Sequence, residues 1–202
     1  MNEITKMVLV TTIICSFCAA LLGVLNDGLK KRIDRQKDYF IRGPAVKELF
    51  GGCPNDPLSD QVILVQEKGN VSIYPWIEGG KVRRVILEWP GRGGYGGDVI
   101  VMTAVDLESD RVQGVRVTQH KETPGVGTRA MEPLYLNKYV RLLAKEDIRL
   151  KKDGGQVDAV TGASRSSVAI ADGVDQATKF VMANKNKIVE SILAKRPPKK
   201  GK

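Results

Sequence analysis

Aromatic side chains make up only 5% of the sequence, histidine occurs once and cysteine three times. So thin an aromatic content offers no stacking platform for single-stranded nucleic acid, and no zinc-finger spacing accompanies it. No nucleic-acid partner is expected, in spite of an excess of basic residues. One histidine without cysteine or carboxylate partners at ligand spacing argues against a metal site. Cys15 and Cys18 stand three apart inside an apolar run with no further ligand nearby, and read as small hydrophobes. Cys53 is then alone, so no disulfide framework can form.

What is present suits one ordinary domain and an appendage: 202 residues, 42% apolar and 27% charged. The formal net charge is +9. Part of it lies in Lys30, Lys31, Arg32, Arg35 and Lys37, and part in Lys195, Arg196, Lys199, Lys200 and Lys202. The first group reads as a juxtamembrane cluster facing lipid head groups, the second as a solvated tail.

Residues 7–25 are apolar and carry no charge. As a helix they would reach roughly 28 Å, close to the thickness of a bilayer core. A secretory signal would end in a small-residue cleavage site, whereas Ala19-Ala20 is followed by Leu21-Leu22. A retained, single-pass membrane anchor is therefore expected. The five basic residues after it, against Lys6 before it, would by the positive-inside rule keep the rest of the chain in the cytoplasm.

Residues 34–50 read as a helical connector interrupted at Gly43-Pro44. Two β-prone runs, 70–78 and 81–88, flank Gly79-Gly80 and predict a hairpin, with Pro75 at an edge or a bulge. Residues 98–105 and 111–118 predict two more strands around Glu108-Ser109-Asp110, and 133–143 a helix. From Ser164 onward Val168, Ala171, Val174, Ala177, Val181, Ile188 and Ile192 fall on one face of a long helix. The expected organisation is an anchor over 1–27, a connector over 28–58, one α+β domain over 59–194 with an antiparallel-rich sheet and flanking helices, and a basic tail over 195–202. No internal repeat is present.

Three stretches carry chemistry. Gly91-Arg-Gly-Gly-Tyr-Gly-Gly97 is a flexible turn or a backbone cradle, without the strand-to-helix context of a nucleotide fingerprint. His120-Lys-Glu-Thr-Pro-Gly-Val-Gly127 gathers polar side chains around a Pro-Gly turn. Asp158-Ala-Val-Thr-Gly-Ala-Ser164 opens the long helix. There Ser164 or Ser166 suits an N-cap, and the same helix end suits an anion.

The last run resembles the flavinylation motif of the FMN-binding domain family, Asp-x-x-Ser/Thr-Gly-Ala-Thr/Ser. The 120–127 run is similar to that family's His-Lys-Glu-Thr-Pro-Gly-Leu-Gly segment, with Val126 where leucine is usual. Tyr95-Gly96-Gly97 is similar to its Gly-Tyr-x-Gly turn. Both motifs in order behind one anchor look like the G-subunit family of Rnf-type electron-transport complexes, relatives of the C subunit of the sodium-pumping NADH:quinone reductase. The resemblance implies FMN joined as a phosphoester to Ser164, where threonine is the usual acceptor. It implies Asp158 in recognition by a flavin transferase, with Thr161, Gly162 and Ala163 beside the attachment point. Thr123, Gly125, Gly127, His120 and Glu122 would line the cofactor pocket.

The implied role is an electron-carrier subunit of a membrane-bound, ion-translocating ferredoxin:NAD oxidoreductase, a redox subunit that is not catalytic in isolation. Its partners would be the other membrane subunits, the transferase and membrane lipids. The family places the flavin domain on the periplasmic side of the inner membrane, against the charge count, and that side is expected here. Two other readings keep Ser164 as a cap: a flavin-free, membrane-tethered assembly subunit, or a free-nucleotide binder using Gly91 to Gly97.

Overall fold

The computed structural model describes residues 2–66 and 69–195. Contacts divide the chain into two compact units, Met1–Ile41 and Arg42–Lys202.

The first unit is dominated by helix α1 (Glu3–Lys37). Its segment Glu3–Lys30 is long and apolar enough to cross a membrane, and none of the apolar window is buried within the chain. The hydroxyls of Thr11 and Thr12 donate back to the carbonyls of Met7 and Val8, so neither hydroxyl is left an unmatched donor. Arg35 and Lys37 lie in the last turn, where a cation suits the helix dipole. A π-helical turn, Asp38–Arg42, follows.

The second unit opens with helix α2 (Gly43–Phe50), which starts at the predicted Gly43-Pro44 and ends on Gly51 in the left-handed conformation (φ 66°). Five strands follow: β1 (Val62–Gln66), β2 (Gly69–Glu78), β3 (Lys81–Gly91), β4 (Val99–Asp106) and β5 (Arg111–Gln119). They form one antiparallel sheet in the order β1-β2-β3-β4-β5. Helix α3 (Pro133–Leu136) and a 3-10 turn at Asn137–Tyr139 precede the long helix α4 (Ser164–Lys195). The result is the expected α+β fold.

Side-chain alternation puts the sheet between two helical layers. Ile73, Val85, Leu87 and Val105 pack with Ala177, Phe180, Val181, Ile188 and Ile192 of α4. Their neighbours Tyr74, Ile86, Met102 and Ala104 pack with Val46 and Phe50 of α2. Both faces are thus covered, and Val85, Ile86 and Leu87 are all fully buried. Of the α4 stripe read from the sequence, Ala177, Val181, Ile188 and Ile192 meet this part of the sheet, whereas Val168 and Ala171 line a separate depression with Ile148 and Leu150. The helix bends at Asn184 (φ −119°), whose amide donates to the Phe180 carbonyl.

The Gly79-Gly80 hairpin forms with both glycines at positive φ (58° and 79°), as a two-residue turn of this hand requires. Pro75 lies in an interior strand, but β1 pairs no further than Ile73, and a bulge follows at Trp76/Ile77. In the gap the side chain of Asn55 replaces a neighbouring strand. Its Nδ2 donates to the Pro75 carbonyl (2.9 Å), and its Oδ1 accepts the Ile77 amide (3.0 Å).

Two elements differ from expectation. Strand β1 has no counterpart among the expected strands. The helix predicted over 133–143 stops at Tyr139, because the backbone beyond it pairs with the start of β5 instead. Arg141 donates to the Val112 carbonyl and the Val112 amide to Leu142, with Arg141 in the left-handed region (φ 71°). Of the expected basic tail, residues 196–202 lie outside the described residues.

Where α4 crosses β3, backbone meets backbone. A Cβ on Gly91 would stand 1.9 Å from the Ala169 carbonyl oxygen, and one on Gly173 would stand 3.2 Å from Gly91 Cα. This contact fixes the start of α4 over the sheet, and with it Ser164.

Candidate functional site

The three stretches singled out in the sequence converge on one buried carboxylate. Glu122, 4% exposed, accepts the Gly96 amide on Oε1 (2.9 Å) and the Ser166 hydroxyl on Oε2. The first partner belongs to the glycine-rich connection between β3 and β4, the second to the first turn of α4. Burial pushes the Glu122 carboxyl up, but hydrogen bonds from Ser166 and from the Gly96 and Tyr95 amides outweigh it and hold the group below its ordinary value. Gly127 closes over the same carboxylate, since a Cβ there would stand 2.7 Å from Oε2. The glycine-rich segment is therefore a pinned loop and not a slack one: a Cβ on Gly96 would meet the Lys121 carbonyl oxygen at 2.0 Å.

The 120–127 loop is wound about the Thr123 carbonyl, which accepts the Val126, Gly127 and Thr128 amides. Gly125 takes positive φ (74°), and its amide donates to the Thr128 hydroxyl. His120 is exposed, and its Nδ1 accepts the Glu122 amide at 3.3 Å.

Ahead of α4 the chain turns back at Gly162 (φ 82°), with the Ala163 amide on the Val160 carbonyl. Neither serine suggested as a cap acts as one. Ser166 is engaged by Glu122. Ser167 receives the Val160 amide and donates to the Ala163 carbonyl. Ser164 is exposed, and among the described residues its hydroxyl makes no hydrogen bond. The amides of Ser164, Arg165 and Ser166 likewise have no acceptor among the described residues, so this helix end keeps its attraction for an anion.

A cleft of about 470 Å³ opens here, lined by Tyr95, Glu122, Thr123, Val126, Gly127 and the segment 162–166. Of the residues expected at a cofactor site, Glu122, Thr123, Gly127, Gly162, Ala163 and Ser164 line it. His120, Gly125 and Thr161 are exposed and do not line it. Asp158 is outside it, exposed and paired with Lys151 at 2.9 Å, which lowers its carboxyl pKa.

Two basic groups join the site without any signal in the motifs. Arg165 lines the cleft. Arg129, in the 3-10 turn Gly127–Met131, aims Nη1 at the Thr161 carbonyl, 3.5 Å away. Nothing local marks Arg129, because only the fold brings it across 32 residues to the turn before Ser164.

Residues 94–179 match the FMN-binding domain family. The G subunit of the ion-translocating oxidoreductase complex of Stutzerimonas stutzeri is 35% identical over 178 residues, 83% of this chain and 76% of that protein. The chain belongs to this G-subunit family. The corresponding G subunit of Methanosarcina acetivorans is 28% identical over 90% of this chain and 96% of its own length. Among solved structures, the crystal structure of Shewanella oneidensis NqrC superposes with a TM-score of 0.51 at 20% identity, covering 68% of this chain and 76% of that one, which extends the likeness in fold. The matched FMN-binding span of this G-subunit family member contains every wall of the cleft, from Tyr95 to Ser166.

The cleft suits FMN on its own geometry. It offers an accessible hydroxyl, small neighbours in Gly162 and Ala163, unengaged amides and the Arg165 guanidinium for a phosphate, beside an aromatic ring and Val126, with Arg129 near its edge at Thr161.

Proposed function

We propose that this protein is the membrane-anchored flavin subunit of an Rnf-type ion-translocating oxidoreductase, carrying FMN as a phosphoester on Ser164 and relaying electrons between the other subunits. The observation that supports it most is the exposed, unengaged Ser164 hydroxyl at the first residue of α4, opening on the cleft where three separate stretches meet.

In attachment, Ser164 Oγ forms the bond to the FMN phosphorus of FAD. The pyrophosphate P–O bond breaks, AMP leaves, and the serine proton goes to the transferase or to water. The transferase would read Asp158, Thr161, Gly162 and Ala163. Once held, the isoalloxazine supplies the redox chemistry.

The chain's own residues do the remaining work. The α4 amides, Arg129 and Arg165 would balance the diester charge. Glu122 keeps the glycine-rich loop, the 120–127 loop and the helix end in one frame. His120 positions Glu122 through its amide, and Gly125 shapes the turn that presents Thr123. Among the described residues no group here is arranged as a self-sufficient acid–base pair, and turnover would belong to the complex.

The domain would stand on the extracytoplasmic side of the inner membrane, where a covalent bond keeps the cofactor from being lost. The anchor's basic flank argues for the opposite side. A C-terminal alkaline phosphatase fusion tests this: activity is expected, and an inactive, fully expressed fusion would overturn the placement.

Intact mass and in-gel flavin fluorescence after denaturation test the attachment, using protein made in cells that contain the transferase. One FMN unit is expected on the wild type and none on Ser164→Ala, while any FMN carried by Thr161→Ala should map to residue 164. Equal labelling of Ser164→Ala would remove the assignment. No labelling of any form would favour a flavin-free assembly subunit.

A further inference from the structure

We propose that Ser167, which lies beyond the 158–164 run, is the positioning residue that folds that run into the docking surface for the flavin transferase, a role that rests on the reading of Ser164 as the FMN attachment point.

The Ser167 side chain is fully buried and ties both ends of one turn. Its oxygen accepts the Val160 amide (3.0 Å), and its proton goes to the Ala163 carbonyl (3.0 Å). The Ala163 amide in turn donates to the Val160 carbonyl (2.9 Å). These bonds close a ring around Thr161 and Gly162, with Gly162 at the positive φ (82°) that the third residue of such a turn requires. Ser164 is the next residue, held between Ala163 and the first turn of α4 that carries Ser167. Among the described residues the Val160 amide has no other acceptor, so loss of one hydroxyl would release the turn at both ends.

The ring sorts the run into two faces. Ala163 is buried, and Ala159 and Val160 pack beside it against the core that holds Ile170 and Val174. Asp158, Thr161, Gly162 and Ser164 are exposed. The exposed set is what a docking enzyme can touch, and the buried set fixes where each of its members stands. Ala163 contributes from below, through the close-packed turn that its small side chain permits.

The consequence is one of affinity. An acceptor loop that is open most of the time binds its enzyme more weakly, in proportion to the fraction that is closed. The chemistry at Ser164 Oγ is untouched, because the turn closes once it is bound. Ser167 therefore acts on the encounter with the transferase and not on the transfer step.

Full-length protein made in cells without the transferase is labelled with purified transferase and FAD, and the rate is followed by in-gel flavin fluorescence. Ser167→Ala is expected to raise the KM for the protein about tenfold and to leave kcat unchanged. Ser167→Thr keeps a hydroxyl that can reach the carbonyl four residues back in a helix, and should restore most of the loss. Val181→Ala, a core change further along α4, should lower the urea midpoint without moving KM. In the wild type the Val160 amide should be protected from exchange, and in Ser167→Ala it should exchange faster.

An unchanged KM in Ser167→Ala, or a KM raised equally by Val181→Ala, would overturn the positioning role while leaving the attachment intact. An unprotected Val160 amide in the wild type would overturn it without recourse to any variant. Wild-type protein that takes up no FMN would overturn both.

Discussion

Glu122 and Ser166, 44 residues apart, share a buried hydrogen bond that joins the 120–127 loop to the first turn of α4. Glu122 holds the glycine-rich loop with its other oxygen. A site assembled from three separated stretches thus has one common fastening.

That fastening has a measurable cost of removal. Ser166→Ala leaves a buried carboxylate oxygen without its donor, which should destabilise the domain by about 1–3 kcal/mol. Urea denaturation would show a lower midpoint at an unchanged slope. A shift indistinguishable from zero would mean that solvent reaches the oxygen and replaces the hydroxyl.

Stability should fall on the acid side. The carboxyls of Glu122, Asp106 and Asp110 all lie below their ordinary values. Glu122 and Asp106 are so held by hydrogen bonds that outweigh burial, and Asp110 by Lys145 and Lys185. A depressed carboxylate stabilises the fold above its unfolded value, about pH 4, and loses that contribution as pH drops through its folded value. Denaturation midpoints measured from neutrality downward should be flat and then decline below about pH 4. Glu122→Gln should be less stable at neutral pH and show a shallower acid decline. A decline as steep as the wild type's would place the linkage elsewhere.

Gly91→Ala should be among the most damaging single changes in the domain. The new methyl would overlap the Ala169 carbonyl oxygen, which belongs to helix backbone and cannot swing away. A loss of about 3 kcal/mol is expected, together with reduced FMN loading, because the shift would propagate to the start of α4. Gly79→Ala, where nothing lies within 4 Å, carries only the cost of positive φ and should load normally. Mass spectrometry of the two variants separates these outcomes.

Asn55→Ala removes both hydrogen bonds that close the gap beside Pro75. A destabilisation of about 1–3 kcal/mol is expected, with faster amide exchange at Ile77. Unchanged exchange there would show that the side chain does not act as the missing strand.

Ser164→Thr keeps the hydroxyl on an exposed position and should still accept one FMN unit, read by intact mass. A threonine variant that stays unlabelled would show that the added methyl is not tolerated at this helix start.

Much of the fold is legible in the sequence because it is locally encoded. The Gly79-Gly80 turn, the strand pair around Ser109 and the α4 stripe each follow from neighbours along the chain. Strand β1 escapes such a reading because Val62-Ile-Leu-Val-Gln66 is a short apolar run without alternation, which periodicity alone does not separate from a helix segment, and it pairs only through β2. The 133–143 segment misleads because its apolar spacing fits a helix, while its backbone is captured by β5. In the site, the motifs mark Ser164 and the 120–127 loop, but not their meeting point. Glu122 reads as one polar residue among several until the fold buries it, and Arg129 has no local signature at all.

The bend at Asn184 has a consequence for rate. Electron tunnelling falls off exponentially with separation, so a carrier is useful only if its distance to the next centre is constant. The bend keeps α4 on the core along its length, at Ala177 and Val181 before it and at Ile188 and Ile192 after it, so residue 164 keeps one position over the sheet. The segment before the bend, clamped on the sheet at Gly173, acts as a short rigid mount.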